Sequence, residues 1–159
     1  MKKSIFLVAL IVFISNIPGF SQNTATSLSV GAAKVNITPK PDALPSGFDS
    51  ILDSLYAKAI VVSNGNATTA IVGIDNGMLS EAMWSNITQQ IYRELGIPVE
   101  NVLLSPTHTH NAPFLTFIAD NSAVIANYIK IVEKGIFDVV KQAKSRLQPA
   151  RIGYGTGVS

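Results

Sequence analysis

The chain contains two histidines and no cysteine, and the histidines lie two residues apart in a Thr-His-Thr-His run at positions 107–110. An apolar run precedes them at residues 101–105 and a proline-containing polar run follows, which predicts a strand that ends in a loop. Side chains two residues apart on a strand share a face, so His108 and His110 would project together. Such a pair can share one metal ion, or one imidazole can bind the metal while the other meets a substrate. The alternative is that both are ordinary polar residues of an exposed loop.

Asp75 follows a second apolar run, at residues 70–74. If that run is a strand parallel to the histidine strand and close to it, the Asp75 carboxylate lies at the same edge of the sheet. There it could ligate a metal, or hold a histidine in one tautomer through a hydrogen bond. The Asp-Asn-Gly sequence is equally typical of a turn, so both interpretations stay open.

The elements that must position these residues alternate between strands and helices. In chain order we predict strands at 27–38, 55–62 and 68–73, a helix at 81–95, the histidine strand at 101–106, a helix at 120–147 and a strand at 150–155. Ser80 is the expected N-cap of the first helix, and Trp84 is expected in its buried stripe. The fold class that follows is α/β, with a mixed β-sheet layered with helices.

The N-terminus has the pattern of a secretory signal peptide. Lys2 and Lys3 precede about ten apolar residues, and small residues then predict cleavage after Ser21. The apolar core is shorter than the roughly 20 residues that span a bilayer, although the segment could be retained as an anchor. Without it the 12 basic residues fall to 10 against 10 acidic ones, so the net charge falls from +2 to zero. We predict an exported protein, periplasmic or extracellular, with no nucleic-acid partner.

Three blocks of the sequence resemble the neutral/alkaline (non-lysosomal) ceramidases. They are residues 30–39 (Val-Gly-Ala-Ala-Lys-Val-Asn-Ile-Thr-Pro), residues 55–59 (Leu-Tyr-Ala-Lys-Ala) with the following hairpin and Asp75, and residues 101–110, which contain Thr-His-Thr-His. They occur in the order and at the spacing of the family. We therefore divide the chain into a signal peptide, residues 1–21, and the N-terminal segment of a ceramidase-like catalytic domain, residues 22–159.

The resemblance implies a zinc-dependent amidase that cleaves the N-acyl bond of ceramide or a related lipid. It implies that His108 is the Zn²⁺ ligand and that His110, beside the metal, binds or polarises the substrate. Zinc would act as a Lewis acid and lower the pKa of bound water. The implied partner is a lipid or other amide substrate, with peripheral contact to membrane lipid; the oligomeric state is not implied.

Two departures from the family pattern keep other functions open. The family continues Ser-Gly-Pro-Gly-Gly after the second histidine, whereas this chain has Asn-Ala-Pro-Phe-Leu at residues 111–115, which favours a metallohydrolase of the same fold with a non-ceramide substrate. The family also takes further zinc ligands from far downstream, and a catalytic zinc normally has three protein ligands. Because a third histidine is absent, we expect the chain to be incomplete and inactive by itself. A non-catalytic binding domain or a truncated product is the third hypothesis.

Overall fold

The computed structural model describes residues 27–45, 47–115 and 123–158. The predicted signal peptide, and the predicted start of the second helix at 120–122, lie outside these residues. The elements are β1 (Ser29–Asn36), β2 (Tyr56–Ser63), β3 (Thr68–Ile74), α1 (Glu81–Leu95), β4 (Val102–Pro106), α2 (Ala123–Ser145) and β5 (Gln148–Pro149), with 3-10 turns at Pro41–Ala43 and Val99–Asn101. Within the described ranges no helix is long and apolar enough to cross a membrane.

The strands form one mixed sheet in the order β4-β3-β2-β1-β5. The first three strands pair antiparallel as a meander, while β4 pairs parallel with β3, with Ile74 beside Pro106. A parallel pair needs a long crossover, and α1 supplies it. The α/β prediction is therefore confirmed. The parallel pairing also brings the ends of β3 and β4, and with them Asp75 and the histidine loop, to the same edge of the sheet.

The core lies between one face of the sheet and the two helices. Inward-facing residues alternate along β2 and β3, as a sheet with one buried face requires. The fully buried side chains of this cluster with the largest volumes are Tyr128, Ile37, Ile74, Ile87, Ile91, Ile97, Ile136, Val61, Val72, Val132, Val139 and Val140. On the opposite face, Ile60, Ile71 and Leu103 lie side by side across three strands and are exposed.

Two glycines allow α2 to approach the sheet closely. A Cβ atom on Gly31 of β1 would lie 2.0 Å from the Ala143 carbonyl oxygen, and one on Gly135 of α2 would lie 2.3 Å from Ile37 Cγ2. Any side chain at either position would force the helix away from the strand.

The ends of α1 are as predicted, and so are the buried positions Ile87 and Ile91 of its apolar stripe, but Trp84 is not. The Ser80 hydroxyl accepts a hydrogen bond from the Met83 backbone N–H at 3.2 Å, and Gly96 ends the helix in the left-handed region at φ 66°. The buried face runs through Met83, Ile87 and Ile91, which are four residues apart. Trp84 was expected in that stripe, and this prediction is wrong: it is 40% exposed because it lies at the margin of the face.

The last strand is shorter and earlier than predicted. β5 comprises Gln148 and Pro149, and the Ala150 N–H still donates to the Leu28 carbonyl at 2.8 Å. The antiparallel register then runs past the beginning of β1, so residues 151–158 have no partner strand among the described residues and are exposed.

Candidate functional site

The histidine loop is attached to the segment that follows β3. The Thr107 N–H donates to the Ile74 carbonyl at 2.9 Å, and the His108 N–H donates to the Asn76 carbonyl at 3.0 Å. These two bonds continue the contact between β3 and β4 beyond the end of the ladder. The parallel pairing of the two strands therefore decides where the histidines lie.

His108 adopts a backbone conformation that is unusual for its residue type. Its φ is 61°, and in the described part of the chain it alone has a positive φ without being a glycine. The left-handed region costs an L-residue about 1–2 kcal/mol, and residues held there cluster at functional sites. We expected the alternation of a strand to point both imidazoles in one direction, and this is not how they come together. β4 ends at Pro106, before the histidines, and a turn brings the two rings together.

The imidazole of His108 is held so that one nitrogen is free. Its Nδ1 lies 3.0 Å from the carbonyl oxygen of Gly77. A carbonyl oxygen can only accept, so in the neutral ring the proton is assigned to Nδ1 and the lone pair to Nε2. A backbone carbonyl on the far nitrogen is the usual means of orienting a metal-binding histidine. His108 is exposed, so Nε2 is open to a ligand.

His110 lies against His108 on one side and Phe114 on the other. The two imidazole centroids are 5.2 Å apart with an interplanar angle of 64°, and the Phe114 ring lies 5.9 Å from His110, edge to face. Two imidazoles that bind one tetrahedral zinc ion have centroids about 5 Å apart. The separation thus suits a shared metal, and it equally suits one ligand with a substrate-binding neighbour.

A groove of about 690 Å³ lies between the loop that follows β1 and the histidine loop. Its size is that of a small-molecule site. His110 lies on its wall, whereas His108 does not line it. The two histidines therefore face different surroundings, and only His110 is placed to touch a molecule in the groove. The residues that line it are Thr38, Pro39, Leu44, Gly47, Phe48, Asp49, Ser50, Ile51, Leu52, Asp53, Leu55, Thr109, His110, Asn111 and Pro113.

Asp75 lies at the predicted sheet edge, but its carboxylate is engaged by β2. It accepts hydrogen bonds from the Tyr56 backbone N–H at 3.1 Å and from Lys58 Nζ at 3.1 and 3.2 Å. The oxygen that holds the tautomer of His108 belongs to Gly77 instead. A metal-site role for Asp75 stays a prediction.

Asn76 and Tyr128 belong to the site, and sequence analysis missed both. Asn76 is fully buried and its Nδ2 donates to the Pro113 carbonyl at 3.1 Å. Tyr128 of α2 is 1% exposed, and burial raises its pKa to about 12, with the Asn76 side chain opposing part of that rise. The signal for Asn76 was its place in Asp-Asn-Gly, which we attributed to a turn. Its burial depends on contact with the loop that contains Pro113, which lies 37 positions further along the sequence.

The described residues fit part of a zinc site. In the ranges 27–45, 47–115 and 123–158, no three His, Cys, Asp or Glu side chains converge as a metal would require. The oriented imidazole of His108, whose Nε2 carries the lone pair in the neutral ring, is nonetheless a suitable zinc ligand. The pair at the loop can thus supply one or two of the three protein ligands that a catalytic zinc normally has.

Comparisons with known proteins point to one family. No family model matches the sequence. The neutral ceramidase of Pseudomonas aeruginosa is 30% identical over 111 residues, which cover 64% of this chain but 17% of that protein. In fold, the chain resembles the crystal structure of neutral ceramidase from Pseudomonas aeruginosa with a TM-score of 0.63, and a structure described as ceramidase complexed with C2 with a TM-score of 0.64. Each match is 24% identical in sequence and covers 77% of this chain and 22% of the other. In sequence and in fold, the chain is therefore similar to a segment of neutral ceramidase, and it spans about a fifth of the length of the relatives that it matches.

Proposed function

We propose that the protein is an exported, zinc-dependent amide hydrolase of the neutral ceramidase type, which cleaves the N-acyl bond of ceramide or a related lipid. This chain would supply part of the active site. The observation that carries the proposal is the imidazole of His108, an exposed residue, which the Gly77 carbonyl holds at Nδ1. The match covers 17% of the curated relative, so the activity is proposed for the full-length protein and not for this chain by itself.

The two histidines have different roles in this proposal. His108 binds zinc through Nε2, while the Gly77 carbonyl keeps the proton on Nδ1. A zinc ion held there would polarise an amide carbonyl and lower the pKa of water, which amide hydrolysis near neutral pH requires. His110, on the groove wall, binds and orients the scissile amide. The edge contact of Phe114 restricts the rotation of the His110 ring.

The groove has the mixed lining that a lipid amide needs. Its lining combines apolar side chains such as Leu44, Phe48 and Leu55 with His110 and other polar side chains. An acyl or alkyl chain would lie against the apolar side chains, with the amide at His110. Leu52, 94% exposed on the groove rim, is suited to peripheral contact with membrane lipid.

The test is zinc content and N-acyl hydrolysis of the full-length protein, recovered from the exported fraction. His108→Ala should lose bound zinc and activity together. His110→Ala should keep zinc and lose most of its activity, since it removes the substrate contact alone. Asn66→Ala is the matched control, because that exposed residue lies in the hairpin at the far end of β3 and should change neither. A wild-type enzyme that is active without metal would refute the proposal, as would zinc retention by His108→Ala.

A second candidate is a metallohydrolase of the same fold that acts on a substrate other than ceramide. Phe114, 41% exposed and in edge contact with His110, stands where the family pattern is rich in glycine. A bulky ring there takes space beside the residue that meets the substrate, whereas glycine would leave it open. A panel of ceramides, other N-acyl amides and esters decides the matter. Turnover of ceramide far above all others would reject this candidate.

A further inference from the structure

We infer that Asn76 is a positioning residue that holds His108 in its metal-binding orientation by closing the histidine loop at both ends. The link to metal rests on the proposed function. The positioning of the loop itself does not.

Asn76 contacts the histidine loop at its beginning and at its end. Its backbone carbonyl accepts from the His108 N–H at 3.0 Å, and its side-chain Nδ2 donates to the Pro113 carbonyl at 3.1 Å. The next residue, Gly77, holds His108 Nδ1 at 3.0 Å. Two consecutive residues thus fix the backbone, the ring and the far end of a loop that contains a residue with φ 61°. A strained conformation persists only when its surroundings constrain it in this way.

The orientation of the Asn76 amide follows from its neighbours. Because the Pro113 carbonyl can only accept, the NH₂ group must face it, and Oδ1 must then face away. Oδ1 and the Tyr128 hydroxyl are both buried without a partner of full hydrogen-bond geometry. The flipped amide would set Oδ1 against the Pro113 oxygen, so the Pro113 carbonyl keeps the donor of Asn76 on the loop.

The matched control for Asn76 is another buried polar residue, one that has no connection to the histidine loop. Thr88 of α1 is 0% exposed, like Asn76, and its hydroxyl donates to the Trp84 carbonyl of its own helix at 2.9 Å. Removing either polar side chain disturbs the core. Only the Asn76 substitution also releases the loop.

The experiment measures zinc affinity by chelator competition in the full-length protein, well below the unfolding temperature of each variant. Asn76→Ala and the isosteric Asn76→Asp should weaken zinc binding about 10- to 100-fold, as loss of the groups that orient a ligand typically does. Thr88→Ala should stay within about twofold of wild type. Equal losses in the Asn76 and Thr88 variants would show a merely structural role and overturn the inference.

A second readout needs no metal. In the zinc-free protein, hydrogen–deuterium exchange of peptides that cover residues 107–113 should be at least about tenfold faster in Asn76→Ala than in Thr88→Ala, after correction for global stability. Unchanged exchange would overturn the inference whether or not the wild-type protein binds zinc. Absence of zinc from the wild-type protein would by itself refute the proposed function. If Asn76→Ala does not fold, Asn76→Asp carries the same comparison, because it keeps the shape of the side chain and removes the donor to the Pro113 carbonyl.

Discussion

Gly135→Ala tests how closely α2 must approach the sheet. The added Cβ would lie 2.3 Å from Ile37 Cγ2, whereas carbon atoms in contact are about 3.5–4.0 Å apart. Ile37 is 0% exposed, so its branched side chain has no free space in which to retreat. Helix propensity favours alanine by about 1 kcal/mol, and overpacking a core costs about 1–3 kcal/mol. An approach of 2.3 Å is far inside the contact distance, so the cost of overpacking should be about 2–3 kcal/mol. After the gain in helix propensity, we expect a net loss of about 1–2 kcal/mol in the free energy of unfolding.

Urea unfolding followed by circular dichroism measures this loss, which corresponds to a midpoint shift of about 0.5–1 M for a slope near 2 kcal/mol per M. Gly73→Ala is the control: it lies in β3, no heavy atom is within 4 Å of its added Cβ, and it should be neutral or slightly stabilising. In an Ile37→Ala background the Gly135→Ala substitution should cost nothing, because the clashing methyl is gone. Unchanged or increased stability of the single Gly135 variant would refute the reasoning. The result bears on the site, since Tyr128 lies two turns earlier on the same buried face of α2.

Three other predictions follow from single contacts. Asp75→Asn breaks the ion pair with Lys58, whose side chain is 54% exposed, and should lower the free energy of unfolding by at most about 1 kcal/mol. Zinc affinity is measured on the same variant, and a loss of more than about tenfold would show that Asp75 also acts at the metal. Ser80→Ala removes the N-cap of α1 and should lower the free energy of unfolding by about 1 kcal/mol, whereas Ser80→Asp, which can still cap, should keep it. The pKa of Tyr128 is raised to about 12 from 10.0, so the stability that depends on its neutral form is fully present below pH 10 and is lost as the pH rises toward 12. Between pH 10 and 12, the free energy of unfolding of the wild type should fall by roughly 1 kcal/mol per pH unit more than that of Tyr128→Phe. Parallel pH–stability curves for the two proteins would contradict this.

Much of the fold followed from the sequence because it is encoded in local patterns. Alternation of apolar residues placed β2 and β3 to within about one residue, and Ser80 and Gly96 marked the ends of α1 correctly, since caps act through neighbouring backbone groups. The predictions for Trp84 and β5 failed because each depends on a packing partner. The side of a helix that is buried depends on the elements that pack against it, and a strand ends where its partner strand ends.

The candidate site divides in the same way. From the sequence alone came the Thr-His-Thr-His pair, its place after an apolar strand and the shared edge with Asp75, because these depend on chain order and strand direction. Only the tertiary structure decided that His108 has a positive φ, that its Nδ1 meets the Gly77 carbonyl, and that buried Asn76 joins both ends of the loop beside Tyr128. Those contacts link residues that are 31 and 37 positions apart. Their existence depends on how β3, β4 and α2 pack, because hydrogen bonds of this kind carry no periodic signal along the chain.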